Sequence, residues 1–145
     1  MANREMPVTR ASSKITIDAS ADAVWQVLGD FGAAYRYLAS IINCAVEGVG
    51  IGALRVLTSA DGSTIVERLE TLDEATHQLS YFLLSDTPFR NTLTTIALHE
   101  LGPNQAELAW SATFEADGLP ASEAADLLEG ALAANCLALK QLLEE

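Results

Sequence analysis

Basic side chains are scarce in this sequence: its 145 residues include 8 lysines and arginines against 20 aspartates and glutamates, a net charge of −12. Because such a chain repels phosphate backbones and its few cations are scattered, we expect no binding to nucleic acid. No apolar run approaches the ~20 residues of a membrane span. The first residues also lack the apolar core of a signal peptide, so the sequence predicts a cytoplasmic address.

Cysteines and catalytic signatures are sparse as well. Cys44 and Cys136 lack the CxxC spacing of metal and redox sites, so we expect buried small side chains rather than a disulfide or a metal pair. His77 stands beside a turn and His99 near a strand end, where we expect both to face solvent. Because no metal spacing, nucleophile motif or glycine-rich phosphate loop occurs, the sequence predicts no metal, cofactor or catalytic residue.

The chain has no repeat and no proline- or glycine-rich linker, which favours a single domain over residues 1–145. The spacing of its apolar residues predicts the elements in order. A strand at 11–18 is followed by a helix that Ser20 caps and Gly29 ends, and by a second short helix at 33–39. Six more strands are predicted at 43–48, 53–59, 63–72, 78–85, 92–101 and 105–116, and a final helix at 120–144 with Ser122 as its candidate N-cap.

The order of these elements predicts the architecture. Strands joined by short turns form an antiparallel meander, and one long helix covers seven twisted strands only if the sheet curls around it. We therefore predict an α+β fold, a seven-stranded curved antiparallel sheet wrapped around the C-terminal helix, with two short helices after the first strand. A curled sheet closed by one helix tends to enclose a cavity, and the hypothesis of ligand binding starts there.

The final helix carries a polar residue on its apolar stripe. At about 100° per residue, one face is shared by Leu128, Leu132, Leu139 and Leu142. Asn135 lies in the middle of that face, where an amide must find hydrogen-bond partners or cost about 1–3 kcal/mol. Two interpretations stay open: an asparagine satisfied by protein groups or water, or a polar handle that points into a ligand cavity.

The third and fourth strands bring an arginine and a glutamate together. The loop Ala60-Asp61-Gly62 has glycine where a three-residue hairpin needs a left-handed backbone. Arg55 then lies directly opposite Glu67, on the face that also carries Leu57 and Ile65. If that face is inward, the two form a buried or half-buried ion pair, and the charge of Arg55 should lower the pKa of Glu67. Both a functional and a structural role are open for this pair.

Other inward positions complete the predicted lining. In the last strand the period of two points Trp110 and Phe114 at the helix, either as core or as a ligand platform. The hydroxyl groups of Tyr81 and Thr95 would orient a ligand rather than react with it. The remaining apolar lining is predicted at Leu83, Leu93 and Leu128.

Several segments resemble a known superfamily. They are AVWQVLGDF at 23–31, VEGVGIGALR at 46–55, the Asp61-Gly62 turn, ERLETLD at 67–73, LSY at 79–81 and WSATF at 110–114. With them, residues 12–143 resemble the START and birch-pollen-allergen (helix-grip, SRPBCC) superfamily, in its bacterial polyketide cyclase/dehydrase and lipid-transport branch. The resemblance implies the helix-grip fold more specifically than an activity, because one fold hosts many functions.

The middle of the chain is also similar to the plant abscisic acid receptors. This similarity places 59–63 at their gate loop, 88–90 at their latch and Arg36 at the lysine that binds the hormone carboxylate. The polar cavity positions that match are Arg55, Glu67 and Asn135. Gate and latch sequences differ, and Leu93 and Ala112 stand where the receptors have a tyrosine and an acidic residue, so recognition of the hormone is not implied.

The preferred hypothesis is binding, with transport as an extension, of a small hydrophobic or amphipathic ligand in an internal cavity. In it, Arg36 or Arg55 meets a carboxylate, enolate or carbonyl oxygen, and Glu67 holds Arg55 in place. Asn135 donates or accepts a hydrogen bond from the helix side. The first alternative is a polyketide cyclase or dehydratase that uses the same cavity, with Glu67 as its only evident carboxylate. The second is a protein-interaction module whose cavity is closed.

Overall fold

The computed structural model describes residues 8–38, 40–85 and 88–144. Residues 1–7, on which the predicted cytoplasmic address depends, lie outside these ranges, as do residue 39 at the predicted end of the second short helix and residues 86 and 87 in a predicted turn. The elements are β1 (Val8–Ile17), α1 (Ala21–Leu28), a 3₁₀ helix (Phe31–Arg36), β2 (Ile41–Glu47), β3 (Leu54–Ser59), β4 (Thr64–Asp73), β5 (Gln78–Leu83), β6 (Phe89–Gly102), β7 (Gln105–Ala116) and α2 (Ala121–Glu144).

The seven strands form one antiparallel sheet in the order β1-β7-β6-β5-β4-β3-β2. Strands β2 to β6 each pair with the next strand along the chain, which gives the meander that their short turns predict. β1 begins at Val8 rather than at residue 11, because it pairs with β7 from the Val8–Glu115 position onward. The curved sheet, with α2 lying against β1 and β7, confirms the predicted α+β helix-grip architecture. Within the described ranges, neither α-helix is long and apolar enough to cross a bilayer.

Side-chain caps set the starts of the two short helices. Ser20 caps α1 as predicted, since its Oγ accepts a hydrogen bond from Ala23 N at 3.1 Å. The second short helix is a 3₁₀ helix that begins at Phe31, two residues earlier than predicted. Its start is set by Asp30, whose carboxylate accepts from Gly32 N at 3.2 Å.

The long helix α2 begins at Ala121, one residue before the predicted N-cap Ser122. Ser122 is already inside α2, so its prediction as the N-cap is wrong. The Pro120 carbonyl accepts the hydrogen bond from Ala124 N at 3.0 Å, the first of the helical ladder. Proline suits this boundary because it has no N–H to leave unpaired.

The core lies between the concave face of the sheet and the helices. Its fully buried side chains include Trp110, Phe114 and the charged Arg55. Both cysteines are free; Cys136 is buried as predicted, whereas Cys44 is only half-buried. In the described ranges no three His, Cys, Asp or Glu side chains are grouped so that they hold a metal ion.

One histidine differs from its predicted place. His77 is 22% exposed, and its ring stacks on that of Trp25 with the centroids 5.3 Å apart. The indole N–H of Trp25 in turn donates to the Glu74 carboxylate at 2.6 Å. The turn before β5 therefore packs on α1, a contact between distant segments that the local sequence does not reveal. His99 is exposed, as predicted.

Candidate functional site

An arginine and a glutamate face each other on the inner side of β3 and β4. The glycine of the Ala60-Asp61-Gly62 loop has a φ of 89°, and Ser59 N donates to the Ser63 carbonyl at 2.8 Å. This loop sets the register in which Arg55 pairs directly with Glu67, as predicted. Arg55 Nε donates to Glu67 Oε1 at 2.8 Å, and Arg55 Nη2 lies 2.7 Å from the same oxygen.

Aromatic rings and a backbone carbonyl enclose this ion pair. The guanidinium carbon of Arg55 lies 4.2 Å from the ring centroid of Phe31 and 4.6 Å from that of Tyr81, distances at which the ring faces attract a cation. Arg55 Nη1 donates to the Phe31 carbonyl at 3.2 Å. The exposed fraction is 1% for the Arg55 side chain and 13% for that of Glu67. The guanidinium is therefore surrounded by protein groups and does not face open space.

Burial dominates the electrostatics of the pair. It raises the pKa of Glu67 above its usual range, and the Arg55 guanidinium opposes that rise without reversing it. The predicted lowering of the Glu67 pKa is therefore wrong, because desolvation of the carboxylate outweighs the attraction of one cation. Burial also acts to lower the pKa of Arg55, but Glu67 and two tyrosines raise it by more, so the guanidinium stays charged. A buried carboxyl group with a raised pKa beside a fixed cation is able to hold or move a proton.

Two tyrosines and a tryptophan extend the pair into a larger buried group. Trp110 Nε1 donates to Tyr81 Oη at 3.2 Å. Tyr37, at the end of the 3₁₀ helix, meets the Trp110 ring edge-on with centroids 5.8 Å apart. Burial raises the pKa of both tyrosines, so their phenols stay neutral. We refer to Arg55, Glu67, Tyr37, Tyr81 and Trp110 together as the polar cluster.

A cavity of about 300 Å³ lies beside the polar cluster, between α2 and strands β2 to β4. Its polar lining consists of Ser40 and Asn135. Its apolar lining consists of Leu38, Ile41, Leu57, Ile65, Ala131 and Ala134. Leu57 and Ile65 are the next inward positions after the ion pair on β3 and β4. The cavity thus borders the polar cluster, but the ion pair is not part of its wall.

Asn135 provides the amide in this cavity. It lies on α2 opposite the ends of β3 and β4, and its side chain is half-buried. Within residues 8–38, 40–85 and 88–144 its amide has no hydrogen-bond partner. Asn135 therefore lines the cavity, as the second interpretation of the sequence requires, and an amide satisfied by water, part of the first interpretation, fits the same position.

The structure brings together some of the predicted site residues and separates others. Tyr81, Trp110 and the ion pair form one buried group, whereas Asn135 lines the cavity. Leu83 pairs with Glu67 across β4 and β5. Phe114 packs edge-on against Phe89 with centroids 5.4 Å apart, and Leu128 is half-buried against the core. Phe114 and Leu128 are therefore packing residues of the interior.

Two predicted lining residues lie on the outer face of the sheet. Tyr81 pairs with Thr94, so Thr94 shares its inward face and Leu93 and Thr95 lie on the other one. Leu93 is 37% exposed, whereas Thr92 and Thr94 are buried. The prediction of Leu93 and Thr95 as lining is wrong because the inward face of β6 carries Ile96 and Leu98, and the period of two places Thr94 with them.

Arg36 does not reach the interior either. It is the last residue of the 3₁₀ helix and is exposed, whereas the following residue, Tyr37, is buried. Successive residues of a 3₁₀ helix differ by about 120° in direction, so only one of the two points inward. The cavity position that the receptor similarity implies for Arg36 is therefore not the position of its side chain.

The sequence analysis missed the part of the site that follows α1. Phe31 and Tyr37 cover the ion pair, and Leu38, Ser40 and Ile41 line the cavity. Apolar spacing predicts only a short helix in this segment. Its one signal is the number of large apolar side chains, more than a surface helix of this length needs, but their partners lie on distant strands.

Comparison with known proteins agrees with this fold. A family model described as polyketide cyclase/dehydrase and lipid transport matches residues 8–144. The protein XoxI from Bacillus cereus superimposes with a TM-score of 0.87 at 28% identity, over 94% of this chain and 96% of that one.

Two more distant structures are similar in fold. A START superfamily protein from Mycobacterium smegmatis gives a TM-score of 0.81 at 17% identity, over 93% of this chain and 97% of its own. The Zhui aromatase/cyclase from Streptomyces sp. R1128 gives 0.79 at 19% identity, over 95% and 94% respectively. At these identities the likeness concerns the fold alone.

Proposed function

The chain belongs to the polyketide cyclase/dehydrase and lipid transport family, with a START-like helix-grip fold, and we propose that it binds a small hydrophobic or amphipathic molecule in the cavity beside Asn135. The observation that carries the proposal is the cavity, about 300 Å³ of space with apolar walls and one amide. Volumes of about 300–1,000 Å³ with a few convergent polar groups are typical of small-molecule sites.

Binding in this cavity follows from burial and orientation. Each Å² of apolar ligand surface that leaves water contributes ~25 cal/mol to binding. Side chains such as Leu57 and Ile65 provide the apolar wall that covers this surface. Asn135 then orients the molecule, because its amide has no partner to give up among the residues that the structure describes. The packed polar cluster next to the cavity holds β3 and β4 in place. Transport is the natural extension, since a buried molecule is shielded from water.

The proposal is tested by a substitution on α2 whose larger side chain fills the cavity. Ala133 and Ala134 are both exposed on α2, but only Ala134 lines the cavity, so Ala133→Phe is a matched control for Ala134→Phe. We expect the neutral fluorophore N-phenylnaphthylamine to bind the unmodified protein and the control, and to bind Ala134→Phe at least about tenfold more weakly. Equal binding to both variants would contradict the proposal. Native mass spectrometry of protein from its host should also detect a bound small molecule.

A second candidate function, a cyclase or dehydratase reaction, is favoured by the raised pKa of Glu67. A carboxyl group that protonates closer to neutral pH is a better general acid, and the enclosed Arg55 would act on Glu67 rather than on the substrate. The discriminating variant is Glu67→Gln. Catalysis predicts that turnover of a polyketide-like chain disappears while its affinity is kept, whereas binding alone predicts no turnover by the unmodified protein.

A further inference from the structure

We infer that the cavity selects electrically neutral ligands: an apolar molecule with one hydroxyl or carbonyl oxygen, and neither a carboxylate nor an amine. This inference rests on the proposed function and adds the charge of the ligand to it. It differs from the expectation drawn from the sequence, in which Arg36 or Arg55 meets a carboxylate.

The first step is the chemistry of the wall. In the described part of the chain, the cavity is lined by six apolar side chains and by Ser40 and Asn135, none of which ionises. An ionised carboxylate or ammonium buried without a partner loses far more in hydration than such a wall returns, so the group neutralises or stays in water. The wall therefore offers no partner to a charge of either sign, and a charged group would have to remain at the opening beside the exposed Ser40, Ala131 and Ala134.

The second step is that the nearest charges are already paired. The guanidinium of Arg55 lies 2.7 Å from the Glu67 carboxylate and is 1% exposed, with Phe31 across its other side. A ligand carboxylate would have to displace both Glu67 and the Phe31 ring to reach it. The second candidate cation, Arg36, is exposed on the 3₁₀ helix. Neither arginine is part of the cavity wall.

The third step concerns the hairpin at the end of β3 and β4. Ala60 N donates to the carbonyl of the cavity residue Ser40 at 3.1 Å, which places this hairpin beside the cavity. The next residue, Asp61, accepts hydrogen bonds from Ser63 N at 2.9 Å and from Ser63 Oγ at 2.6 Å. These bonds lower the pKa of Asp61, so it is ionised at neutral pH. Asp61 therefore places one negative charge near the cavity, on a chain whose net charge is −12, and both disfavour an anionic ligand.

The fourth step is what the amide recognises. A side-chain amide offers both a donor and an acceptor, so Asn135 matches a hydroxyl or a carbonyl group equally. A water molecule in the liquid takes up about 30 Å³, so the cavity of about 300 Å³ has the volume of roughly ten waters. A chain of eight carbons with one hydroxyl group has about that number of heavy atoms.

The experiment compares octanol, octanoate and octylamine by isothermal titration calorimetry at neutral pH, since these probes share one chain and differ in charge. We expect octanol to bind at least about tenfold more tightly than either ion. Asn135→Leu should weaken octanol binding by about fivefold, the contribution of one hydrogen bond. Asn104→Leu, at an exposed asparagine in the turn between β6 and β7, is the matched control and should leave octanol binding unchanged.

The outcomes separate the two proposals. If octanoate or octylamine binds as tightly as octanol, the inference of neutrality is overturned while ligand binding stands. If none of the three probes binds, and N-phenylnaphthylamine does not bind either, the proposed function fails and the inference fails with it. If Asn135→Leu and Asn104→Leu bind octanol equally, recognition by the Asn135 amide is overturned.

Discussion

The polar cluster and the cavity are neighbours on the same two strands, yet one is closed and the other open. Arg55 and Glu67 are one inward pair of β3 and β4, and Leu57 and Ile65 are the next. The first pair is enclosed by rings and a carbonyl, whereas the second borders about 300 Å³ of space. A buried charge is stable only when every partner is in place, but an apolar wall has no hydrogen bond to satisfy and can face a space that a ligand fills.

The largest expected effect on stability comes from removing one residue of the buried Arg55–Glu67 ion pair. Glu67→Leu leaves Arg55 buried without its counter-charge and should lower the free energy of unfolding by about 3–5 kcal/mol in urea denaturation. Adding Arg55→Met removes the unpaired charge, so the double variant should recover most of the loss.

The control for this prediction is the second arginine–glutamate pair, on the outer face of β4. Arg68 and Glu70 are also 2.7 Å apart, but their side chains are 42% and 32% exposed. Glu70→Leu should therefore cost less than about 1 kcal/mol. Equal losses for Glu67→Leu and Glu70→Leu would show that enclosure does not distinguish the two pairs.

A smaller effect is expected from pH. Because burial raises the pKa of Glu67 in the folded chain, its contribution to stability is fully present below the unfolded value of about 4.3 and is lost as the pH rises through the folded value. The stability of the unmodified protein relative to Glu67→Gln should therefore fall as the pH rises toward neutral, as measured by denaturation at a series of pH values.

Asp61 should show the opposite dependence of stability on pH, so it serves as the control. Hydrogen bonds from Ser63 lower its pKa, so its contribution is present above the unfolded value and is lost as the pH falls through the folded value. The stability of the unmodified protein relative to Asp61→Asn should rise with pH in the acid range. The same direction for both residues would contradict the burial of Glu67.

The smallest expected effect lies in the open region. Asn135 has no hydrogen-bond partner in the described ranges, so Asn135→Leu should raise the free energy of unfolding by about 0.5–1 kcal/mol while it weakens ligand binding. Asn104→Leu should stay within about 0.5 kcal/mol of the unmodified protein. A loss of more than about 1 kcal/mol in Asn135→Leu would instead identify a structural asparagine, the first of the two interpretations that the sequence left open.

Local chemistry made most of the fold and one part of the site predictable. The Ala60-Asp61-Gly62 loop selects the hairpin register by itself, so the pairing of Arg55 with Glu67 follows from residues close in the chain. Two placements were missed. In β6 the apolar Ile96 and Leu98 mark the inward face, so the outer position of Leu93 and Thr95 was open to local reasoning. In the 3₁₀ segment the buried position belongs to Tyr37 rather than to Arg36, and the aromatic partner of Tyr37, Trp110, lies on a distant strand.

The sequence by itself determined the order of the elements, the antiparallel meander and the ion pair of β3 and β4, because apolar periodicity and turn residues act over a few positions. Only the tertiary structure decided that Phe31 and Tyr81 enclose Arg55, that the pKa of Glu67 rises, and that Asn135 faces an apolar cavity. Enclosure, desolvation and empty volume depend on side chains that are far apart in the chain and meet only when the sheet has closed around the helix.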